Sequence, residues 1–254
     1  MAIINATPDS FSGDGVAGHF DKALLQAEQA LAEGAEILDI GGESSRPGAA
    51  FVSEQEELDR VLPLVESLAK LDVPISVDTV KSRVMREAIR AGASIVNDIN
   101  ALRAEGAIEA VVDTDVGVCL MHMQGEPRTM QSSPGYVDVV EEVAAFLQAR
   151  SDILHAAGVA SERILFDPGF GFGKTLEHNK ALFAALPGLR ALGPLLVGVS
   201  RKSMLGQITG RGVEQRVVAS AAAALMAAQY GATILRVHDV AATRDALAVL
   251  DALR

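Results

Sequence analysis

Short runs of β-branched and aliphatic residues recur along the chain at Ile3-Ile4, Ile37-Leu38, Ile75-Ser76-Val77, Ser94-Ile95-Val96, Val118-Cys119-Leu120, Ile164-Leu165-Phe166, Leu195 to Val199 and Thr233-Ile234-Leu235. Between them lie segments rich in Ala, Leu and Glu with helical spacing of apolar positions, among them Lys22 to Glu33, Glu54 to Lys70, Lys81 to Ala91, Val137 to Ala157 and Val213 to Tyr230. The alternation predicts eight strand–helix units. Their strands are nearly continuous in apolar character, as parallel strands buried on both faces require. The pattern favours an α/β fold, a (β/α)8 TIM barrel forming a single domain over residues 1–254, ahead of an open doubly wound sheet. Ser53-Glu54-Gln55-Glu56 has the spacing of a capping box, and Gly34, Gly92, Gly158 and Gly231 stand where helices should stop.

Each apolar run ends in a polar group: Asn5, Asp39, Asp78, Asn97 with Asp98, His122, Asp167, the triplet Ser200-Arg201-Lys202, and Arg236 with His238. Taken singly, such residues more often cap a helix or close a turn. Asp98 and Asp239 are read that way. A whole ring in register is another matter, because a barrel gathers these positions at its C-terminal mouth, where barrel enzymes place their chemistry.

Composition narrows the ligands. A formal net charge of -11 argues against broad binding to nucleic acid or to an anionic membrane, so an anionic ligand must meet a locally positive pocket. Cys119 is the only cysteine, which excludes an intrachain disulfide and a cysteine zinc cluster and fits a cytoplasmic protein. The first residues, MAIINATPDS, lack the features of a secretory signal. The Ala-rich Val217 to Ala228 is too short for a membrane helix and reads as a helix packed closely on a sheet.

Three glycine-bearing loops stand out. DPGFGFGKT, Asp167 to Thr175, is one residue short of a P-loop, since Gly169 and Gly173 enclose three residues instead of four. Its glycines suit close approach of backbone to a flat ligand. GGESSRPG, Gly41 to Gly48, combines hydroxyls with a guanidinium and reads as an anion-binding lid or an ordinary solvated loop. TPDSFSGDG, Thr7 to Gly15, carries Phe11, a natural cover for a ring or a core residue.

Taken in order, these motifs resemble the dihydropteroate synthase family over nearly the whole chain: Asn5-Ala6-Thr7-Pro8-Asp9-Ser10-Phe11-Ser12, Asp39-Ile40-Gly41-Gly42-Glu43-Ser44-Ser45-Arg46-Pro47-Gly48, Val77-Asp78-Thr79, Asn97-Asp98, Met121-His122-Met123-Gln124-Gly125, Asp167 to Lys174, Ser200-Arg201-Lys202-Ser203 and Arg236-Val237-His238-Asp239. The resemblance implies a barrel that joins 6-hydroxymethyl-7,8-dihydropterin diphosphate to p-aminobenzoate with Mg2+ as cofactor, in the sulfonamide-target class, and commonly a homodimer. It implies that Asp78, Asn97, Asp167, Lys202, Met121, Phe172 and Gly171 bind the pterin. Asn5, Arg46, Arg236 and His238 would bind the diphosphate, Asn5 through the metal, and Asp78, Lys202, Arg236 and His238 would carry the catalysis. Phe11, Ser44, Ser45, Pro47 and Ser203 would receive p-aminobenzoate. Alternation along a strand, independently of the resemblance, should turn Arg201 away from Lys202 and leave it structural. Two departures stand out: the family's usual N-terminal segment before the first strand is lacking, and the residues after Phe11 read Ser12-Gly13-Asp14-Gly15. The residues leave three rivals open: a pterin-dependent methyltransferase barrel, an aldolase-like barrel with Lys202 as Schiff-base nucleophile, and a pterin-binding protein without turnover.

Overall fold

A computed structural model describes residues 1–7, 16–44, 51–127 and 129–253. The chain runs β1 (Ala2–Asn5), α1 (Val16–Ala32), β2 (Leu38–Gly41), α2 (Glu54–Leu68), β3 (Ile75–Asp78), α3 (Ser82–Ala91), β4 (Ile95–Asp98), α4 (Ala107–Val111), β5 (Gly117–Met121), α5 (Val139–Ala156), β6 (Ile164–Asp167), α6 (Leu176–Ala184), α7 (Leu186–Leu189), β7 (Leu196–Val197), α8 (Ser203–Thr209), α9 (Val217–Gln229), β8 (Ile234–Leu235) and α10 (Val240–Ala252). The eight strands among the described residues fall on the apolar runs, and the order is that of a (β/α)8 barrel.

Strands β1 to β6 pair in parallel, each with the next, and β7 pairs in parallel with β8. Two isolated bridges, Phe166 with Leu195 and Ala2 with Val237, join these sheets into a ring. The amide of Ile3 donates to the Val237 carbonyl and that of Val237 to the Met1 carbonyl, both at 3.0 Å, so the first and last strands are neighbours. Ile4, Leu38, Ile40, Val77, Val96, Val118, Leu120 and Leu195 are fully buried between helices and barrel interior.

Local signals explain most boundaries. The Ser53 hydroxyl accepts from the Glu56 amide at 3.2 Å, but the Glu56 carboxylate pairs with Arg60 instead of reaching back, so only half of the expected capping box forms. Complete reciprocity occurs at Thr175 and His178, which start α6. Gly92 ends α3 at φ +114, where an added Cβ would lie 2.7 Å from that of Ala69. Helix α9 buries Ser220, Ala221, Ala223, Ala224 and Ala227, as its small residues predict, and packs on β8 and α10. Among the described residues, no helix is long and apolar enough to cross a membrane.

Asp98 is structural, as its position after Asn97 suggests. Its two oxygens accept the amides of Asn100 and Leu102 at 2.7 Å each. Arg150 donates to the carbonyls of Ala101 and Leu102 at 2.9 and 3.0 Å. Together they hold Ala101 and Leu102 at φ +52 and +53, a left-handed conformation that residues with a Cβ resist.

Candidate active site

Strands β2, β3, β4 and β8 bring four polar side chains together at the mouth. Arg236 donates from Nε to Asp39 Oδ2 and from Nη2 to Asp78 Oδ2, each at 2.6 Å. Asn97 donates from Nδ2 to the same Asp39 Oδ2 at 3.3 Å. Asp39 is fully buried inside an otherwise apolar strand, which only such pairing makes tolerable. Burial pushes the Asp78 carboxyl above its usual range while the Arg236 cation pulls it back. Arg236, flanked by two carboxylates, is held charged. Sequence reasoning treats it as a cation aimed at an anion. In the structure two of its N–H groups are committed to Asp39 and Asp78, and Nη1 faces no acceptor among the described residues.

The opposite wall comes from the loop after β6. Asp167, buried, accepts the Gly169 amide at 2.7 Å, and burial raises its carboxyl above the usual range against the opposing charge of Lys202. Lys202 donates to the Phe170 carbonyl, and its ammonium sits 4.7 Å from the centre of the Phe172 ring. Burial lowers Lys202 to about 8, with Asp167 working the other way. Met121, Met123 and Met130 form a separate apolar cluster against Ile99 and Phe172, a deformable wall suited to a flat ring. The glycines have a more specific reason than closeness to a ligand. A Cβ on Gly169 would lie 1.8 Å from the His122 carbonyl oxygen and one on Gly173 2.5 Å from that of Gln124, so the loop packs directly on the backbone that follows β5. Only Gly171 looks toward the site, where its Cβ would lie 3.3 Å from Lys202 Cδ.

His238 Nδ1 and amide both lie 3.1 Å from the Ser200 hydroxyl, which orients the imidazole. Asn5 is exposed at the end of β1, beside β8 through the Ala2–Val237 bridge. Ser203 is exposed at the first turn of α8, after Lys202. Ser44 is half-buried and lines, with Asp78, Phe51, Lys81, Ile99 and Met123, a cavity of about 800 Å3. Phe11, Ser45, Arg46 and Pro47 lie outside the described residues. Arg201 does point away from the site, but not through strand alternation. It follows β7 at φ +57 and pairs with Asp239 at 2.6 and 3.0 Å, leaving Asp239 structural as expected.

Two residues of this site carry no role in the sequence reading. Asp39 has a visible signal, a charge inside the run Ile37-Leu38-Asp39-Ile40, but its partner Arg236 is 197 positions away. Lys174 is buried behind the Asp167 loop, where its ammonium lies 2.9 Å from His122 Nδ1. The glycine spacing before it already argues against a phosphate-binding lysine, but nothing local points to His122 as its partner.

A closed barrel whose mouth sets buried carboxylates, a lysine and an arginine around a methionine–phenylalanine wall is a small-molecule site built for a flat, hydrogen-bonding ring. The chain belongs to the family described as pterin binding enzyme, whose model matches residues 1–238. It is 53% identical to the dihydropteroate synthase of Haemophilus influenzae over 254 residues, covering 99% of this chain and 92% of that one. It is similar to the Yersinia pestis dihydropteroate synthase solved as a sulfonamide drug complex, with TM-score 0.94, 52% identity and coverage of 100% of this chain and 93% of that one. The Burkholderia cenocepacia dihydropteroate synthase complexed with 7,8-dihydropteroate matches with TM-score 0.91, 55% identity and coverage of 100% and 90%.

Proposed function

We propose that the chain catalyses the dihydropteroate synthase reaction of folate biosynthesis, joining 6-hydroxymethyl-7,8-dihydropterin diphosphate to p-aminobenzoate with release of diphosphate, and belongs to the sulfonamide-target class. The observation that carries this is one cluster at the mouth: Asp167 with Lys202 and Phe172, within electrostatic reach of Arg236 and Asp78, which hold Asp39 and Asn97 beside them. Relatives above 50% identity over nearly the whole chain bear the same name.

In this reading the Asp167 carboxylate accepts the amide and amine protons along one edge of the pterin. Asn97 and Asp78 complete the ring's hydrogen bonds, and Met121, Phe172 and Gly171 enclose its faces. Lys202 donates to a ring heteroatom from above Phe172. The arylamine of p-aminobenzoate is neutral near pH 7 and needs no strong base. The demanding event is loss of diphosphate from the methylene carbon, and positive charge developing there faces Asp78. The leaving group is met by Arg236 through Nη1, by His238 oriented on Ser200, and by Arg46. Ser203 and the first turn of α8 take the p-aminobenzoate carboxylate, with Phe11, Ser44, Ser45 and Pro47 closing the other side.

The donor set fits a hard cation held mostly by its substrate. Among the described residues no group of three His, Cys, Asp or Glu side chains could cage a metal, while the exposed Asn5 offers one amide oxygen beside β8. Asn5 would hold Mg2+ together with the substrate's phosphate oxygens, and the ion would supply neutralisation of the charge on the leaving diphosphate. The same reading takes the protein as a cytoplasmic homodimer. Purified protein given both substrates and Mg2+ should release diphosphate and form dihydropteroate, and failure to form dihydropteroate from the two would refute the assignment.

A further inference from the structure

Lys174 is 3% exposed, yet the chemistry above leaves it without a task. Its ammonium lies 2.9 Å from His122 Nδ1, 3.0 Å from the Phe172 carbonyl and 3.3 Å from the His122 carbonyl. Three acceptors meet the three N–H bonds of an ammonium, and the match assigns the histidine tautomer: Nδ1 presents its lone pair and the proton sits on Nε2. His122 stays neutral because burial, then the Lys174 charge, lowers it to about 3. Its ring packs edge-on against Phe146 at 5.0 Å and near Tyr136 at 6.0 Å, and the Tyr136 hydroxyl donates to the Gly173 carbonyl at 2.8 Å. The ammonium thus bridges two strand ends, His122 after β5 and Phe172 after β6, at the place where the backbones touch without side chains between them.

We propose that Lys174 is a positioning residue for the pterin subsite: its ammonium ties the Phe172 carbonyl to His122 and so holds the Phe172 ring and the Phe170 carbonyl where Lys202 engages both. This rests on the functional reading above and extends it to a group that never touches substrate. A neutral amine has only two N–H bonds and a lone pair, so losing the proton releases one of the three acceptors and weakens the staple. Burial lowers Lys174 to about 7, opposed by Asp167 from β6 and reinforced by Lys202 at the start of α8, while Arg103 adds a positive charge near His122. Pterin affinity therefore falls as pH rises through the neutral range, below the separate loss set by Lys202 near about 8.

The test measures calorimetric binding of 6-hydroxymethylpterin and, separately, of inorganic diphosphate with Mg2+, across pH 6 to 9, for the native protein, Lys174→Met and His122→Leu. Lys174→Met should bind the pterin about tenfold more weakly at pH 6.5, keep diphosphate binding within about twofold, and lack the neutral-range fall in pterin affinity. His122→Leu keeps the lysine but removes one acceptor, so that fall should move to lower pH. Equal weakening of both ligands by Lys174→Met, or unchanged pterin binding, would overturn the proposal. Should Lys174→Met fail to fold, His122→Leu decides, since a pH dependence that stays in place overturns it equally. A native protein that binds no pterin at all overturns the functional reading and this inference with it.

Discussion

Replacing Arg236 with Met keeps the bulk of the side chain and removes the cation that lies 2.6 Å from both Asp39 and Asp78. Asp39 is fully buried, so water cannot substitute for the guanidinium there, while Asp78 is half-buried at the cavity wall. Breaking a buried pair by removing one partner costs about 3–5 kcal/mol, because the other charge stays behind uncompensated. In a chain of this size about 1 kcal/mol shifts the melting midpoint by roughly 2–4 °C, so the variant should melt about 6–20 °C lower at pH 8. The pH dependence is the sharper signature. Arg236 opposes the upward push of burial on Asp78, so its removal raises that carboxyl further. A carboxyl raised in the folded state above its unfolded value stabilises fully below the unfolded value and loses that stability as pH rises through the folded one. The deficit of Arg236→Met should therefore shrink by at least ~1 kcal/mol between pH 8 and pH 5.5. Paired thermal melts at the two pH values measure this. A deficit below about 2 °C at pH 8, or one that does not change with pH, would refute the view that the two carboxylates depend on this cation.

Three further outcomes follow from the same geometry. Asp167→Asn removes the charge facing the pterin edge and should lower kcat/KM by about 10²-fold, near 3 kcal/mol, with little change in melting; a loss under about fivefold would remove Asp167 from the site. Lys202 is held near about 8, so its charge is complete below that value and lost above it; pterin binding should decline from pH 8 to 9 in the native protein, and Lys202→Met should show no such decline in titration calorimetry. Gly169→Ala asks a residue at φ +71 to place a Cβ 1.8 Å from the His122 carbonyl oxygen, which should cost more than about 3 kcal/mol in denaturant unfolding, and a stability loss below about 1 kcal/mol would contradict the observed loop packing.

Much of the architecture was open to reading along the chain because the signals are local. Apolar runs mark strands, and each of the eight was where the pattern placed it. The polar groups ending those runs marked the mouth, since a closed barrel admits no other meeting place for them. Small residues in α9 announced close packing. Boundaries moved where side chains found better partners than the local rule supposes: Glu56 turned to Arg60 and left the capping box half-formed. Arg201 left the site through a left-handed backbone turn and its pairing with Asp239, which alternation along a strand does not describe.

The sequence by itself therefore determined the strand–helix repeat, the ring of polar strand ends and the kind of chemistry they could share, because periodicity and residue type act over a few positions. Tertiary structure alone decided the pairings. Asp39 with Arg236 spans 197 positions, Lys174 with His122 spans 52, and Lys202 reaches a carbonyl 32 positions away. A buried charge is tolerated only beside its partner, and which partner that is depends on barrel closure bringing β8 next to β1, within reach of Asp39 on β2, and packing the loop after β6 on the end of β5. That closure is a property of the whole ring, and no stretch of the chain carries it alone.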